Sequence, residues 1–137
     1  MSDYVVGFEQ PNVEEFIALR RKIGWGDTQY EMANISLDNS LFHVTVRDNA
    51  QLIAMGRVIG DGAMFFYVQD VVVDPGYQGK GLGKLLMQHI ESYLASVAEK
   101  GTTIGLLASQ GKEAFYKRYG YVGRDGEALG LGMCKFV

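Results

Sequence analysis

Apolar and polar positions alternate with changing period along the chain, and each change marks an element. Tyr4 to Glu9 can form a first strand, stopped by Pro11. Asn12 then offers a helix N-cap with Glu15 three residues on, and Phe16, Ile17, Leu19 and Ile23 make a helical stripe ending at Gly24. Trp25 to Asn34 reads as a short second helix or an ordered loop, with Trp25, Tyr30 and Met32 set among polar neighbours. From Leu41 to Arg47 the period drops to two, placing Phe42, Val44 and Val46 on one face and His43, Thr45 and Arg47 on the other. On this pattern His43 is a solvated strand histidine. Asp48-Asn49 turns the chain into Leu52 to Ile59, and Gly60-Asp61-Gly62 turns it again into Met64 to Val73. An antiparallel meander is predicted.

Beyond the meander the period becomes helical. Leu82, Leu85, Leu86, Ile90, Tyr93, Leu94 and Val97 recur at the spacing of a helix packed on a sheet, and Gly101 ends it. His89 borders this stripe, where a structural or solvated role is expected. Ile104 to Ala108 is a short apolar strand. Strand, helix and strand in succession imply a right-handed crossover and a parallel pairing. A further helix is predicted from Gly111 to Tyr119 with Gly120 in the left-handed region at its end. Tyr121 to Arg124, a polar turn and a last strand near Leu131 to Phe136 close the chain, with Cys134 in that strand as a buried, inert thiol.

The junction between the two regimes, Val71 to Leu86, organises the rest. A β-branched strand runs into Asp74-Pro75-Gly76 and the glycine-rich turn Gln78-Gly79-Lys80-Gly81-Leu82-Gly83-Lys84, which opens a helix. Such a turn exposes backbone N–H groups that the helix cannot satisfy, backed by about +0.5 of a charge from its macrodipole. Phosphate is the natural ligand. A nucleotide P-loop is excluded, because Gly79-Lys80 is followed by Gly81 and Gly83-Lys84 by Leu85, where Ser or Thr is required. The dinucleotide spacing G-x-G-x-x-G fails as well, with Lys84 or Leu86 at the third glycine position.

Composition narrows the partners. At 137 residues a single domain spanning 1–137 is the simplest organisation. A net charge of −3 disfavours nucleic acid and anionic membrane, which reward a basic face, and suits a cationic substrate. The lone cysteine precludes an internal disulfide, Met1-Ser2-Asp3-Tyr4 lacks a leader's basic and apolar regions, and no apolar run nears the roughly 20 residues of a membrane span. A soluble cytoplasmic protein without a metal site is expected. Glycine, 18 of 137, is dispersed in turns rather than in low-complexity runs.

Gln78-Gly79-Lys80-Gly81-Leu82-Gly83 resembles the Q/R-x-x-G-x-G/A signature of the GNAT superfamily of acyl-CoA N-acyltransferases. About thirty residues later, Phe115-Tyr116-Lys117-Arg118-Tyr119-Gly120-Tyr121 resembles the same family's second signature. The likeness runs from about Leu41 to the end of the chain, and Val68 to Val73 with Tyr77-Gln78-Gly79 is most similar to the small-amine and amino-sugar acetyltransferases. It implies an α/β fold of mixed α+β type, with a central mixed sheet of six to seven strands flanked by about four helices. It also implies acetyl-CoA as cosubstrate, with the pyrophosphate on backbone N–H groups of Gly79, Lys80, Gly81, Leu82, Gly83 and Lys84 beside Gln78. The pantetheine arm would lie along main-chain groups of Val71, Val72 and Val73. Ser109 stands where an asparagine often contacts the cofactor, and Lys112 where a small residue is common.

Acyl transfer to an amine sets further requirements. The attacking nitrogen must be neutral although an alkylamine has a pKa of about 10, so a base or a water relay takes its proton. The oxyanion needs a donor, and the resemblance implies the Val71 N–H. The leaving thiolate needs a proton, and Tyr116 matches the family's donor tyrosine. Asp70 is a candidate for orienting or deprotonating the amine, or is structural; Tyr67 sits where some members carry a glutamate. A bulge in this strand would change which side chains face the slot that the resemblance implies between splayed fourth and fifth strands. The expected function is acetyl transfer to a primary amine of a small molecule by direct attack in a ternary complex. Acetylation of a protein lysine or N-terminus and a non-catalytic acyl-CoA-binding module are the alternatives. Trp25 and Tyr30 either close the core or line a substrate mouth. A monomer and a homodimer pairing through the final strand are both compatible with the chain.

Overall fold

The computed structural model describes residues 4–137. Met1 to Asp3, on which the leader argument partly rests, lie outside the described residues. The chain forms two compact units, one running through Leu106 and the other from Leu107 to Val137.

The first unit contains, in order, β1 (Tyr4–Gly7), α1 (Val13–Lys22), α2 (Tyr30–Asp38), β2 (Phe42–Asp48), β3 (Gln51–Gly60), β4 (Phe65–Val73), a 3-10 turn (Pro75–Tyr77), α3 (Leu82–Val97) and β5 (Thr103–Gly105). The strands lie in sequence order β1-β2-β3-β4-β5, antiparallel up to β4, with β5 parallel to β4 as the crossover through α3 requires. This is the mixed α/β fold expected from the sequence.

Local chemistry explains the boundaries. Asn12 accepts the Glu15 N–H at 2.9 Å while Glu15 accepts the Asn12 N–H at 2.9 Å, a complete capping box. Glu14 and Glu15 in the first turn of α1, and Arg20, Arg21 and Lys22 in the last, complement its dipole. Asn49 and Ala50 both take positive φ, 50° and 70°, as a two-residue hairpin turn between β2 and β3 demands. The next hairpin is held by the Asp61 carboxylate, which accepts N–H groups from Ala63, Met64 and Phe65 at 2.8–3.0 Å.

The sheet is covered on both faces. Phe16 and Leu19 of α1 and Ala33 and Leu37 of α2 pack with Leu52, Met55 and Val72 in one buried cluster. Neighbouring residues of a strand point to opposite faces. Accordingly Gly56, next to Met55, faces α3, where an added Cβ would lie 2.9 Å from Ile90 Cδ1. Leu86, Met87, Ile90 and Leu94 of α3 are buried on that side. Phe42 stacks on Tyr93 at 4.5 Å between ring centroids, and Phe8 meets His89 edge-on at 5.2 Å, giving that histidine a packing role.

Several expectations change. The first strand stops at Gly7, and the second helix starts at Tyr30 and runs to Asp38, later than predicted. Trp25, Tyr30 and Met32 are exposed, so they do not close the core. His43 is buried under α2 with its Nε2 3.1 Å from the Leu37 carbonyl, not solvated. The reason is that the polar face of β2 is roofed by helices, which strand alternation alone cannot reveal. Burial holds the His43 pKa below the usual range, helped by the nearby Arg57 charge and opposed by the Leu37 bond. A histidine depressed in the folded state takes up its proton more readily when unfolded. Stability is therefore full above about pH 6.5 and declines as pH falls from there toward the folded value. The urea midpoint should drop between pH 7.5 and 5.5, and His43→Gln should flatten that decline.

In the second unit, α4 (Glu113–Lys117) is shorter than the predicted helix, and Gly120 takes φ +91° after it as expected. Neither Tyr121 to Arg124 nor Leu131 to Phe136 forms a strand, so the sheet has five strands among the described residues rather than six to seven. Gly123 and Gly132 interrupt the two segments, and glycine weakens a strand. Leu131, Met133 and Phe136 are exposed. Cys134 is exposed as well, so it is not the buried thiol of a strand.

Candidate active site

The β3–β4 ladder breaks where the chemistry was expected. Met55 pairs with Val72 and Arg57 with Gln69, so the single residue Gly56 opposes two, Asp70 and Val71. This is a β-bulge, and Asp70 carries its strain at φ +57°, a region an aspartate tolerates better than most residues. The bulge aims Asp70 at the α1 side of the sheet, while Val71 remains on the α3 side beside Gly56.

On its other edge β4 loses its neighbour. Pairing with β5 covers only Phe65 to Tyr67, against Thr103 to Gly105. From Val68 to Val73 no described strand pairs with that edge. Unpaired main-chain groups on a strand edge are a template for an extended, amide-bearing partner.

The same strand runs directly into the glycine turn. Asp74 accepts the Gly76 N–H at 2.8 Å and holds Lys22 Nζ at 2.7 Å, and Tyr77 donates to Asp48 at 2.7 Å. Burial raises the Asp74 pKa, but Lys22 and the Gly76 N–H outweigh it and bring the group below its ordinary value. The Asp48 bond pushes the Tyr77 phenol up to about 12, keeping it a donor. Gln78 donates to the Val73 carbonyl at 3.1 Å, tying the turn to the strand end. Gly79 and Gly81 both take φ +80°, and Gly81 caps α3. A Cβ added to either would meet no protein atom within 4 Å, so the space over the turn is open. The first intrahelical bond runs from Leu85 N to Gly81 O, which leaves the N–H groups of Leu82, Gly83 and Lys84 facing outward from the helix start. Residues Gly79 to Lys84 thus fit a pyrophosphate. Beside the turn, Lys80, Gly81, Leu82 and Lys84 join Tyr4 and Val6 in lining an open groove of about 710 Å³.

Asp70 does not stand free in a slot. It is 2% exposed, with one carboxylate oxygen on Arg57 Nε at 2.7 Å and the other on Arg20 Nη1, to which Gln69 Nε2 also donates at 3.3 Å. Arg57 in turn donates to Ser40 Oγ at 3.0 Å and the Ser36 carbonyl at 3.3 Å. Sequence reasoning missed both arginines. For Arg57 a signal existed: a single charge inside the apolar run Leu52 to Ile59 requires a buried partner. For Arg20, on the cationic end of α1, none did.

In the second unit, Tyr116 lies in α4 with its ring 5.0 Å from Phe115 and 6.4 Å from Tyr121. Burial raises its pKa, so the phenol holds its proton at neutral pH. Ser109 precedes the helix, its carbonyl accepting the Lys112 N–H at 2.9 Å. The first unit therefore brings together Val71, Val72, Val73 and Gln78 to Lys84, and the second carries Ser109 and Tyr116. No group of side chains suited to a metal ion occurs among the described residues.

A family model described as an acetyltransferase (GNAT) domain matches residues 38–123. An uncharacterized N-acetyltransferase ycf52-like protein of Prochlorococcus marinus is 32% identical over 126 residues, covering 86% of this chain and 68% of that protein. A crystal structure of a protein of unknown function from Staphylococcus aureus, a probable acetyltransferase, superposes with a TM-score of 0.87 at 33% identity, over 96% of this chain and 99% of the other. A predicted acetyltransferase from Clostridium acetobutylicum, crystallised with acetyl-CoA, shares the fold with a TM-score of 0.67 at 18% identity, over 93% of this chain and 96% of that one. The chain belongs to the GNAT acetyltransferase family, whose members use acetyl-CoA and act on amines.

Proposed function

We propose that the protein transfers the acetyl group of acetyl-CoA to a primary amine of a small molecule by direct attack in a ternary complex, acting in the cytoplasm as a monomer or homodimer. The observation that carries this reading is the continuous path in the first unit, where the edge Val68 to Val73, which no described strand pairs and whose Val73 carbonyl takes Gln78, runs into the open turn Gly79 to Lys84. The turn's N–H groups hold the pyrophosphate, and main-chain groups of Val71 to Val73 hold the pantetheine amides as a further strand would. The Val71 N–H, at the bulge, is the donor to the developing oxyanion.

Nitrogen attack forms the N–C bond and breaks the C–S bond. The amine proton leaves through a water relay, because both Asp70 oxygens are already engaged by arginines. Tyr116 returns a proton to the departing thiolate, and its elevated pKa keeps it charged with that proton at neutral pH. Ser109 contacts the cofactor from its own segment.

The test is CoA release from acetyl-CoA across polyamines, amino sugars, arylalkylamines and amino acids, with peptide amines as the competing class. Turnover confined to lysine peptides would replace the small-molecule reading, and acetyl-CoA binding without turnover would leave a binding module. Tyr116→Phe is expected to lower kcat by about 10²-fold while the KM for acetyl-CoA stays within about twofold, as loss of a general acid predicts. An unchanged kcat removes Tyr116 from the mechanism.

A further inference from the structure

The charge balance around Asp70 differs from that of the whole molecule. The chain carries −3, yet here two guanidiniums meet one carboxylate, leaving one positive charge in excess. Three carboxylates on or joined to α1 and its following loop are taken by other cations: Asp27 by Arg21, Asp74 by Lys22 and Glu15 by Arg47. Arg57 bonds Asp70, Ser36 and Ser40 and keeps only 11% of its side-chain surface exposed, so the part of the excess that a ligand can reach is on Arg20, whose side chain keeps 21% exposed.

Arg20 is also held still. Its Nε donates to Thr28 Oγ1 at 3.3 Å and its Nη1 to Asp70, while the guanidinium lies 5.2 Å from the Trp25 ring and 5.7 Å from that of Phe16. Those bonds engage Nε and Nη1 and leave the Nη2 edge of the fork for a ligand. Aromatic neighbours strip water from the guanidinium and strengthen any charge-assisted bond it makes. Trp25, in the loop after α1, is itself 37% exposed beside this guanidinium. Arg20 is bonded to Asp70, the residue next to Val71, whose N–H the acetyl-transfer reading uses.

Resting on that reading, we infer that the acceptor amine carries an anionic group, a carboxylate or phosphate, which docks on Arg20 beside Trp25 and orients the amine toward the bulge at Val71. Asp70 and Arg57 are positioning residues that fix the Arg20 fork. A polycation such as a spermidine-like amine would meet the excess positive charge and be disfavoured, the reverse of what net charge alone suggests.

The full chain is assayed with matched pairs differing only in the anion: phenylalanine against phenethylamine for carboxylate, and phosphoethanolamine against ethanolamine for phosphate. The preferred anionic member should exceed its partner about tenfold or more in kcat/KM, through KM, as expected for a charge-assisted bond. Which pair shows the preference identifies the anion. Arg20→Lys, which keeps the Asp70 ion pair but loses the fork, should reduce the preference, and Arg20→Gln should abolish it. Equal or better use of the anion-free amines, or a preference unchanged in both variants, overturns the inference while leaving acetyl transfer intact. Absence of turnover with every amine instead sinks the acetyl-transfer reading. In that case the fluorescence of Trp25, the chain's single tryptophan, decides the inference separately. Saturable quenching by phenylalanine or phosphoethanolamine, absent with the partner amine and in Arg20→Gln, supports the anion site, and no quenching overturns it.

Discussion

Gly81→Val should raise the KM for acetyl-CoA by about tenfold or more while the protein still folds. Two effects act together. Gly81 sits at φ +80°, where a β-branched residue costs about 1–2 kcal/mol of backbone strain. Its new side chain would also fill the space over the turn, which no protein atom occupies within 4 Å. Strain alone is controlled by Gly62→Val, since Gly62 has φ +83° and equally open surroundings in the hairpin before β4. Both variants should lose similar melting temperature, and only Gly81→Val should lose cofactor affinity. If the two behave alike toward acetyl-CoA, the turn is a structural feature and the cradle assignment fails.

Asp70→Ala is expected to destabilise the fold by about 3–5 kcal/mol, the usual cost of leaving a buried charge without its partner. Arg57 is buried and Arg20 mostly so, and both lose their counterion at once. Alanine also tolerates φ +57° less well than aspartate. Asp70→Asn keeps the shape and the left-handed tolerance, so its loss should be smaller. The pairing with Arg57→Met in the Asp70→Asn background should recover part of the stability, because the uncompensated cation goes with it. Urea unfolding of the series measures this. A general base would behave differently: Asp70→Asn would retain wild-type stability and lose kcat, and that outcome would restore Asp70 to the chemistry.

Much of the molecule was legible in one dimension because its signals are local. The capping box at Asn12 and Glu15, the positive-φ hairpin after Asp48 and the stripe from Leu82 to Val97 all depend on neighbours a few residues apart. So does the glycine turn, whose φ values and outward N–H groups follow from residue types in a single segment. The parallel return of β5, 38 residues from its partners on β4, follows from the order strand, helix, strand. Where elements ended proved less legible, and the glycine-punctuated tail from 121 to 137 formed no strand although a last one was expected near Leu131 to Phe136.

The segment proposed to hold the donor was therefore legible in the residues themselves: a glycine turn opening a helix at the end of a β-branched strand. The cluster proposed to meet the acceptor was not. Asp70, Arg57 and Arg20 lie 13 and 50 residues apart in sequence, and no periodicity links them. Folding joins them because a bulge at one residue turns a carboxylate from one face of the sheet to the other, where two cations from different elements wait. Long-range electrostatic partners are set by that three-dimensional accident of register, and with them the local sign of charge around Asp70.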